Sequence, residues 1–265
     1  MRRARGSQGK GMNMTGLALR FAAHLPQLES FERYLFIGPH PDDIEIGAGA
    51  TAAKLAAAGK KVGFLICTDG RFGSTVIPPE ELIAIRQEES RSSAKALGVD
   101  DVRYLSLCDG GFYDTRELTS LIAKAVGEFG PDVIFAPDCF VSSECHPDHI
   151  NVGRASSEIA YLAPYAQLMA RHGAEAAPVK ALAYYMTAKP NCFVKTSAAL
   201  LNKQLSAIFD CHKSQFPSGC PEGRAIAMYL RLRSFDFGLR RLCGRAEGFR
   251  VLGVTQMHCF PEAGD

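Results

Sequence analysis

Pro39-His40-Pro41-Asp42-Asp43-Ile44-Glu45 lies between a short apolar run at 34–38 and a small-residue, alanine-rich stretch at 48–58. Strand, polar loop and helix in that order make the first half of a βαβ unit. The alternation continues, predicting further strands at 61–68, 102–107, 133–136 and 181–186 and helices at 79–97, 115–129 and 149–162. Segments 197–211 and 221–242 read as later helices and 249–253 as a short strand. The expected fold class is therefore α/β, a Rossmann-like, mostly parallel sheet flanked by helices. Every unusual polar cluster follows a strand: His40-Pro-Asp-Asp the first, Asp69-Gly70 the second, Asp109-Gly110-Gly111 the third, and 138–149 the fourth. In an open parallel sheet these carboxyl ends share one edge, and ligands bind in the crevice there.

Composition agrees with a globular chain. Of 265 residues, 47% are hydrophobic and 22% charged, which argues against disorder, collagen-like repeats and small disulfide scaffolds. No apolar run approaches the length of a membrane span. The net charge is +2, and Arg2, Arg3, Arg5 and Lys10 all sit in the first ten residues. Without them the balance turns slightly acidic, so no basic surface points to nucleic acid as a partner. Residues 1–14 are expected to form a solvated basic tail and 15–265 one domain; the tail has no apolar segment after its arginines, as a secretory signal would. Nine cysteines, an odd number with no Cys-x-x-Cys, predict reduced thiols, a cytoplasmic location and no cysteine-based zinc site. Cys145 reads as a small buried hydrophobe. Oligomeric state is not legible, and a homo-oligomer stays open.

The second polar loop contains Glu144-Cys145-His146-Pro147-Asp148-His149. With the first, it brings two or three imidazoles and up to three carboxylates to one edge, enough donors for a nitrogen/oxygen zinc site with groups to spare. A carboxylate that binds no metal can take a proton from water, and a spare imidazolium can face an oxyanion. Spacing does not decide between Asp42 and Asp43, or between His146 and His149, as ligands. Helix capping is the competing account of the acids. It explains one carboxylate per loop but not histidines in both.

This ordered set resembles the PIG-L/LmbE-like zinc-dependent N-deacetylases. Beside the two loops the resemblance rests on Thr68-Asp69-Gly70, on Arg86-Gln87-Glu88-Glu89 with Ala96-Leu97-Gly98, and on His212-Lys213-Ser214-Gln215. It implies a Zn2+-dependent hydrolase that removes the acetyl group from an N-acetylglucosamine unit of a larger conjugate, releasing acetate and a free amino sugar. By the same resemblance His40, Asp43 and His149 are metal ligands and Asp42 is the general base. His146 stabilises the oxyanion or protonates the leaving amine, and Asp148 orients it. Asp69, Arg86 and His212 fall at substrate-contact positions. Each of these three has a plainer account: Asp69-Gly70 as a turn, Arg86 as a solvated ion pair on a helix face with Glu88 and Glu89, and His212 as a cation at a helix end. His24, His172 and His258 read as ordinary surface or core histidines. Segments 71–79 and 163–179 match nothing in that family and are expected to carry specificity for the rest of the conjugate.

Two rival readings come from other classes. Gly47-Ala48-Gly49-Ala50-Thr51-Ala52, with Asp69 further on, fits a dinucleotide-binding pattern and suggests an NAD-dependent oxidoreductase. The glycines, however, do not follow the strand at once, and the intervening Asp42 and Asp43 would repel a pyrophosphate. Close approach of the first helix to the sheet explains them better. A non-catalytic carbohydrate-binding member of the same fold would require a broken site, and none of the positions named above is substituted.

Overall fold

Strands β1 (Arg33–Gly38), β2 (Lys61–Thr68) and β4 (Val133–Pro137) are buried along almost their whole length. Such continuous apolar runs are what a parallel sheet covered on both faces requires. The computed structural model describes residues 24–258; the expected tail at 1–14, the first residues of the expected domain and Cys259 lie outside them. With β3 (Asp101–Leu107), β5 (Ala181–Tyr185), β6 (Cys192–Thr196) and β7 (Arg245–Gly253), the described strands form one sheet in the order β3-β2-β1-β4-β5-β7-β6. The first five are parallel, and β7 runs antiparallel to both β5 and β6.

The described helices are α1 (Asp43–Ala57), α2 (Pro79–Leu97), α3 (Thr115–Phe129), α4 (Pro147–Leu162), α5 (Ala166–Met169), α6 (Ala198–Ser206) and α7 (Pro221–Arg240). Alternation along β1 sorts the core into two layers. Tyr34 and Phe36 pack with Ile44, Ala48 and Ala52 of α1 and Leu97 of α2. Leu35 and Ile37 face Ile122 and Val126 of α3 and Val152 and Ile159 of α4. From β1 the chain builds outward through β2 to β3, then returns to the other side of β1 as β4 and β5. The loops after β1 and β4 therefore part at the point where strand order reverses, and a crevice opens between them.

The α/β expectation holds, with local differences. Helix α1 begins inside the acidic motif rather than after it, and α4 begins at Pro147, whose missing N–H costs nothing in a first turn. Strand β6 was not expected, and β7 starts earlier than the predicted 249–253. Each supplies the other's ladder, from Cys192↔Phe249 to Thr196↔Arg245, so neither carries a strong local signal.

Gly47 shows what the Gly-Ala-Gly-Ala stretch does. A Cβ there would lie 2.2 Å from the ring of Tyr185 on β5, a fully buried side chain whose hydroxyl donates to Ile37 O at 2.8 Å. The glycine is required by helix–sheet contact, not by a pyrophosphate. Gly47→Ala should lower stability by about 1–3 kcal/mol through overpacking, read as a drop in the midpoint of thermal or urea unfolding; an unchanged midpoint would show that α1 can retreat from β5 at no cost.

Candidate active site

The chain leaves β1 at Gly38 and turns within a few residues into α1. His40 N–H donates to Asp43 Oδ2 at 2.9 Å, and the same oxygen lies 3.0 Å from His40 Nδ1. Thr68, at the end of β2, pins the turn from outside: its N–H and its hydroxyl both donate to Pro39 O, at 2.9 and 2.8 Å. Asp42 has φ 147°, a conformation that a residue with a Cβ adopts only when its surroundings impose it. It stands at the N-cap position of α1, yet its side chain makes no capping bond. Asp42 Oδ2 instead accepts Nη2–H of Arg86 at 2.9 Å.

Arg86 reaches that carboxylate from α2 and is buried. Its Nη2 also donates to Pro41 O at 2.9 Å and its Nη1 to Gly70 O at 3.2 Å. The solvated ion pair considered for it does not exist. Glu89 accepts the N–H and hydroxyl of Ser214, at 2.7 and 2.6 Å, which holds the His212–Gln215 stretch against α2. His212 caps the C-terminal end of the helical turn Ala207–Cys211, as the plainer account has it, but it is fully buried there, with Nε2 3.4 Å from Glu45 Oε1. Glu45 Oε1 also accepts the Ser93 hydroxyl. Asp69 is occupied by Arg71, accepting from its N–H at 3.1 Å, Nε at 3.0 Å and Nη2 at 2.7 Å, which is turn chemistry reinforced by an ion pair.

The second loop meets the first through Asp148. This carboxylate is fully buried; its Oδ2 lies 3.0 Å from His40 Nε2 and accepts Gly110 N–H at 2.7 Å, while Oδ1 accepts Gly111 N–H at 2.9 Å. Both glycines have positive φ, 78° and 82°, which turns successive N–H groups toward one acceptor. Asp148 is no helix cap either. His146 occupies that position, and its Nδ1 accepts Asp148 N–H at 3.3 Å. The Asp148 carboxylate is closer to His40 than to His146, whose Nδ1 is 3.7 Å away, so it serves two imidazoles.

His149 completes the cluster, its Nε2 lying 3.3 Å from Asp43 Oδ2 and its Nδ1 3.2 Å from Glu144 Oε2. The rings of His40, His146 and His149 form a triangle with centroids 4.6 to 5.4 Å apart. Two sets of ligand atoms fall within 4.8 Å of one another: His40, Asp43 and His149, and His40, His146 and Asp148. Both are nitrogen/oxygen sets without cysteine, the chemistry of a catalytic zinc site.

Electrostatics set these groups apart. Burial opposes charge on His40, but its contacts with Asp148 and Asp43 prevail and raise its pKa to about 10. Asp43 is likewise opposed by burial and nonetheless held well below the usual range by His149 and His40. Asp148, despite burial, falls to about 2 through His40 and the Gly110 N–H. His149 rises against its burial because of Asp43. Asp42 is shifted the other way: burial raises its pKa and Arg86 only partly offsets this. His146 is lowered by burial and by His40. The cleft thus sets imidazoles against carboxylates at hydrogen-bond distance, an arrangement in which a divalent cation can take the place of the protons between them.

Gly110, Gly111, Tyr113 and Glu144 were given no role from sequence. The Tyr113 hydroxyl lies 3.5 Å from Asn151 Nδ2, in the first turns of α4. The Asp-Gly-Gly after β3 was visible as a motif, but nothing local shows that its amides aim at a carboxylate on another loop. Cys145 is exposed rather than buried, and His172 Nδ1 lies 3.1 Å from the Ser120 hydroxyl.

Comparison with known proteins places this geometry in context. The family model described as GlcNAc-PI de-N-acetylase, PIG-L, matches residues 35–160. A diacetylchitobiose deacetylase of Thermococcus kodakarensis is 33% identical over 239 residues, covering 88% of this chain and 87% of that protein. A 1D-myo-inositol 2-acetamido-2-deoxy-alpha-D-glucopyranoside deacetylase of Kineococcus radiotolerans is 32% identical over 176 residues, 53% of this chain and 48% of its own length. Among solved structures, the N,N'-diacetylchitobiose deacetylase from Pyrococcus horikoshii superposes with a TM-score of 0.83 at 28% identity, covering 96% of this chain and 98% of that one. A relation that runs through nearly the whole of this chain and of the two diacetylchitobiose deacetylases makes the chain a member of the PIG-L, or GlcNAc-PI de-N-acetylase, family.

Proposed function

We propose that the protein is a zinc-dependent N-deacetylase acting on an N-acetylglucosamine unit of a larger molecule, and that His40, Asp43 and His149 hold the metal. One observation carries the reading: the buried donor set stands beside Asp42, a carboxylate with one oxygen committed to Arg86 and the other accepting no hydrogen bond among the described residues. Family membership and the two deacetylases that match most of the chain support it. Lewis acidity toward a water and toward the acetamide carbonyl is what a zinc ion supplies in such a site when bound.

The protein's own groups do the rest. Asp42, its pKa raised by burial, accepts a proton as the water attacks the acetamide carbon. Arg86 fixes the orientation of that carboxylate through Oδ2. His146, the most exposed of the three imidazoles, faces the oxyanion that forms, with Asp148 near its Nδ1. The N-termini of α1 and α4 lie at the same cleft and favour negative charge there. As the C–N bond breaks, the proton held by Asp42 passes to the departing amine, leaving acetate and a free amino sugar. Of the remaining expected contacts, Arg86 and His212 act from behind the carboxylates, and Asp69 shapes the β2 loop through Arg71. The reading keeps the cytoplasmic location expected from cysteine usage; the eight described cysteines are free thiols.

The ligand and base assignments separate by mutation. Asp42→Asn should keep its zinc and lose about 10²–10⁴-fold in kcat, whereas His149→Ala should lose both, as read by elemental analysis and acetate release. Equal metal loss in the two variants would remove Asp42 from the role of base. Arg86→Lys keeps the charge but not the fork that spans Asp42, Pro41 O and Gly70 O. It should reduce kcat with zinc content unchanged and lower stability by about 1–3 kcal/mol; a wild-type kcat would show that Asp42 needs no orienting partner.

A further inference from the structure

Helix α7 is apolar on two opposite faces. One face is inside: Leu230 packs with Leu201 and Leu205 of α6, and Phe237 lies so close to β7 that a Cβ at Gly248 would stand 2.8 Å from its ring. The other face looks into solvent. Met228, Leu232, Phe235 and Leu239 are between 53% and 62% exposed. Their spacing of four, three and four residues draws one stripe along the helix, the a and d positions of a heptad repeat. Leu242, just past the helix end, keeps the spacing and stands at φ 54° with 95% of its surface in water. A helix that is apolar all round belongs in an interior, and a run of large side chains left in water marks a contact surface.

We propose that this stripe is the seam of a homo-oligomer, in which α7 packs side by side and parallel with α7 of a second copy across a two-fold axis. A stripe with this spacing is filled by a helix that carries the same spacing, and an isologous contact sets one surface against itself. The charges beside the stripe choose the direction. Arg224 and Arg231 stand on one flank, each just before a stripe position, while Glu222 and Asp236 stand on the other. In a parallel pair opposite flanks meet, each basic-flank residue facing the position five further on in its neighbour, so Arg231 meets the partner's Asp236 on both sides of the seam. In an antiparallel pair like flanks meet, and arginine would face arginine. Both groups can make the contact. Asp236 holds Arg240 at 2.7 Å, but the two are half exposed and the carboxylate has acceptor sites to spare. Arg231 uses its carbonyl within the chain, while its guanidinium has no acidic partner among the described residues. The acidic flank also disfavours an anionic membrane as the occupant.

Sedimentation of the full chain tests the seam independently of turnover. The wild type should form an assembly with an even number of chains. Leu232→Glu and Leu239→Glu, at positions turned away from the core, should each halve its mass while keeping the wild-type circular dichroism. Arg231→Glu should raise the dissociation constant about tenfold or more, and combining it with Asp236→Arg should recover the wild-type value. A monomeric wild type overturns the proposal, and if it sediments with phosphatidylserine vesicles the stripe belongs to a membrane instead. An assembly that Leu232→Glu and Leu239→Glu leave intact overturns it as well, because the contact then lies elsewhere. Stronger association of Arg231→Glu would mean that the helices run antiparallel, and a double variant as weak as the single one would remove the Arg231–Asp236 pairing; either rejects the parallel seam.

Discussion

The carboxylate of Asp148 ties together loops that the chain keeps far apart. It takes His40 from the loop after β1 and two amides from the loop after β3, and it stands in the first turn of the helix that follows β4. A buried charge is tolerable only with its partners in place, and here they come from separate segments. The three loops therefore share one satisfied arrangement, and departures from it leave an ionised group unpaired away from water. Arg86 repeats the logic on the other side of the cleft, joining Asp42 to the backbone at Pro41 and Gly70.

This double bracing explains how so many charged groups can crowd into one crevice. Asp42 and Asp43 are neighbours in sequence yet are shifted in opposite directions, one by burial and the other by two imidazoles that outweigh its burial. Two carboxylates pushed apart in this way can do different work. The φ of Asp42 shows that the turn is held against its local preference, which a fold accepts where the payoff is a fixed side-chain direction. Helix dipoles and the Gly110-Gly111 amides add positive potential without any further side chain.

The same scaffold carries other chemistries, so membership and mechanism have to be argued from the site rather than from the sheet. The Gly-Ala-Gly-Ala stretch illustrates the danger. Its composition fits a phosphate-binding turn, while its position places Gly47 against Tyr185 in the body of a helix. Arg86 is the converse case: its neighbours in sequence suggest a solvated helix face, and its periodicity hides that the guanidinium enters the cleft between two loops.

What the sequence determined by itself was the alternation of strand and helix, the single sheet edge on which the polar loops gather, and the cluster of His40, Asp42, Asp43, His146, Asp148 and His149. These follow from local signals: apolar runs of strand length, small-residue helices, and polar residues confined to the loops between them. Tertiary structure alone decided which of those groups touch. That Asp148 reaches His40 more closely than His146, that Arg86 belongs to Asp42, that His212 is buried against Glu45, and that β6 and β7 make each other's ladder are all pairings between distant segments. No short-range pattern encodes them, because each depends on where the packed sheet brings two loops and on which buried donor is left to satisfy which buried acceptor.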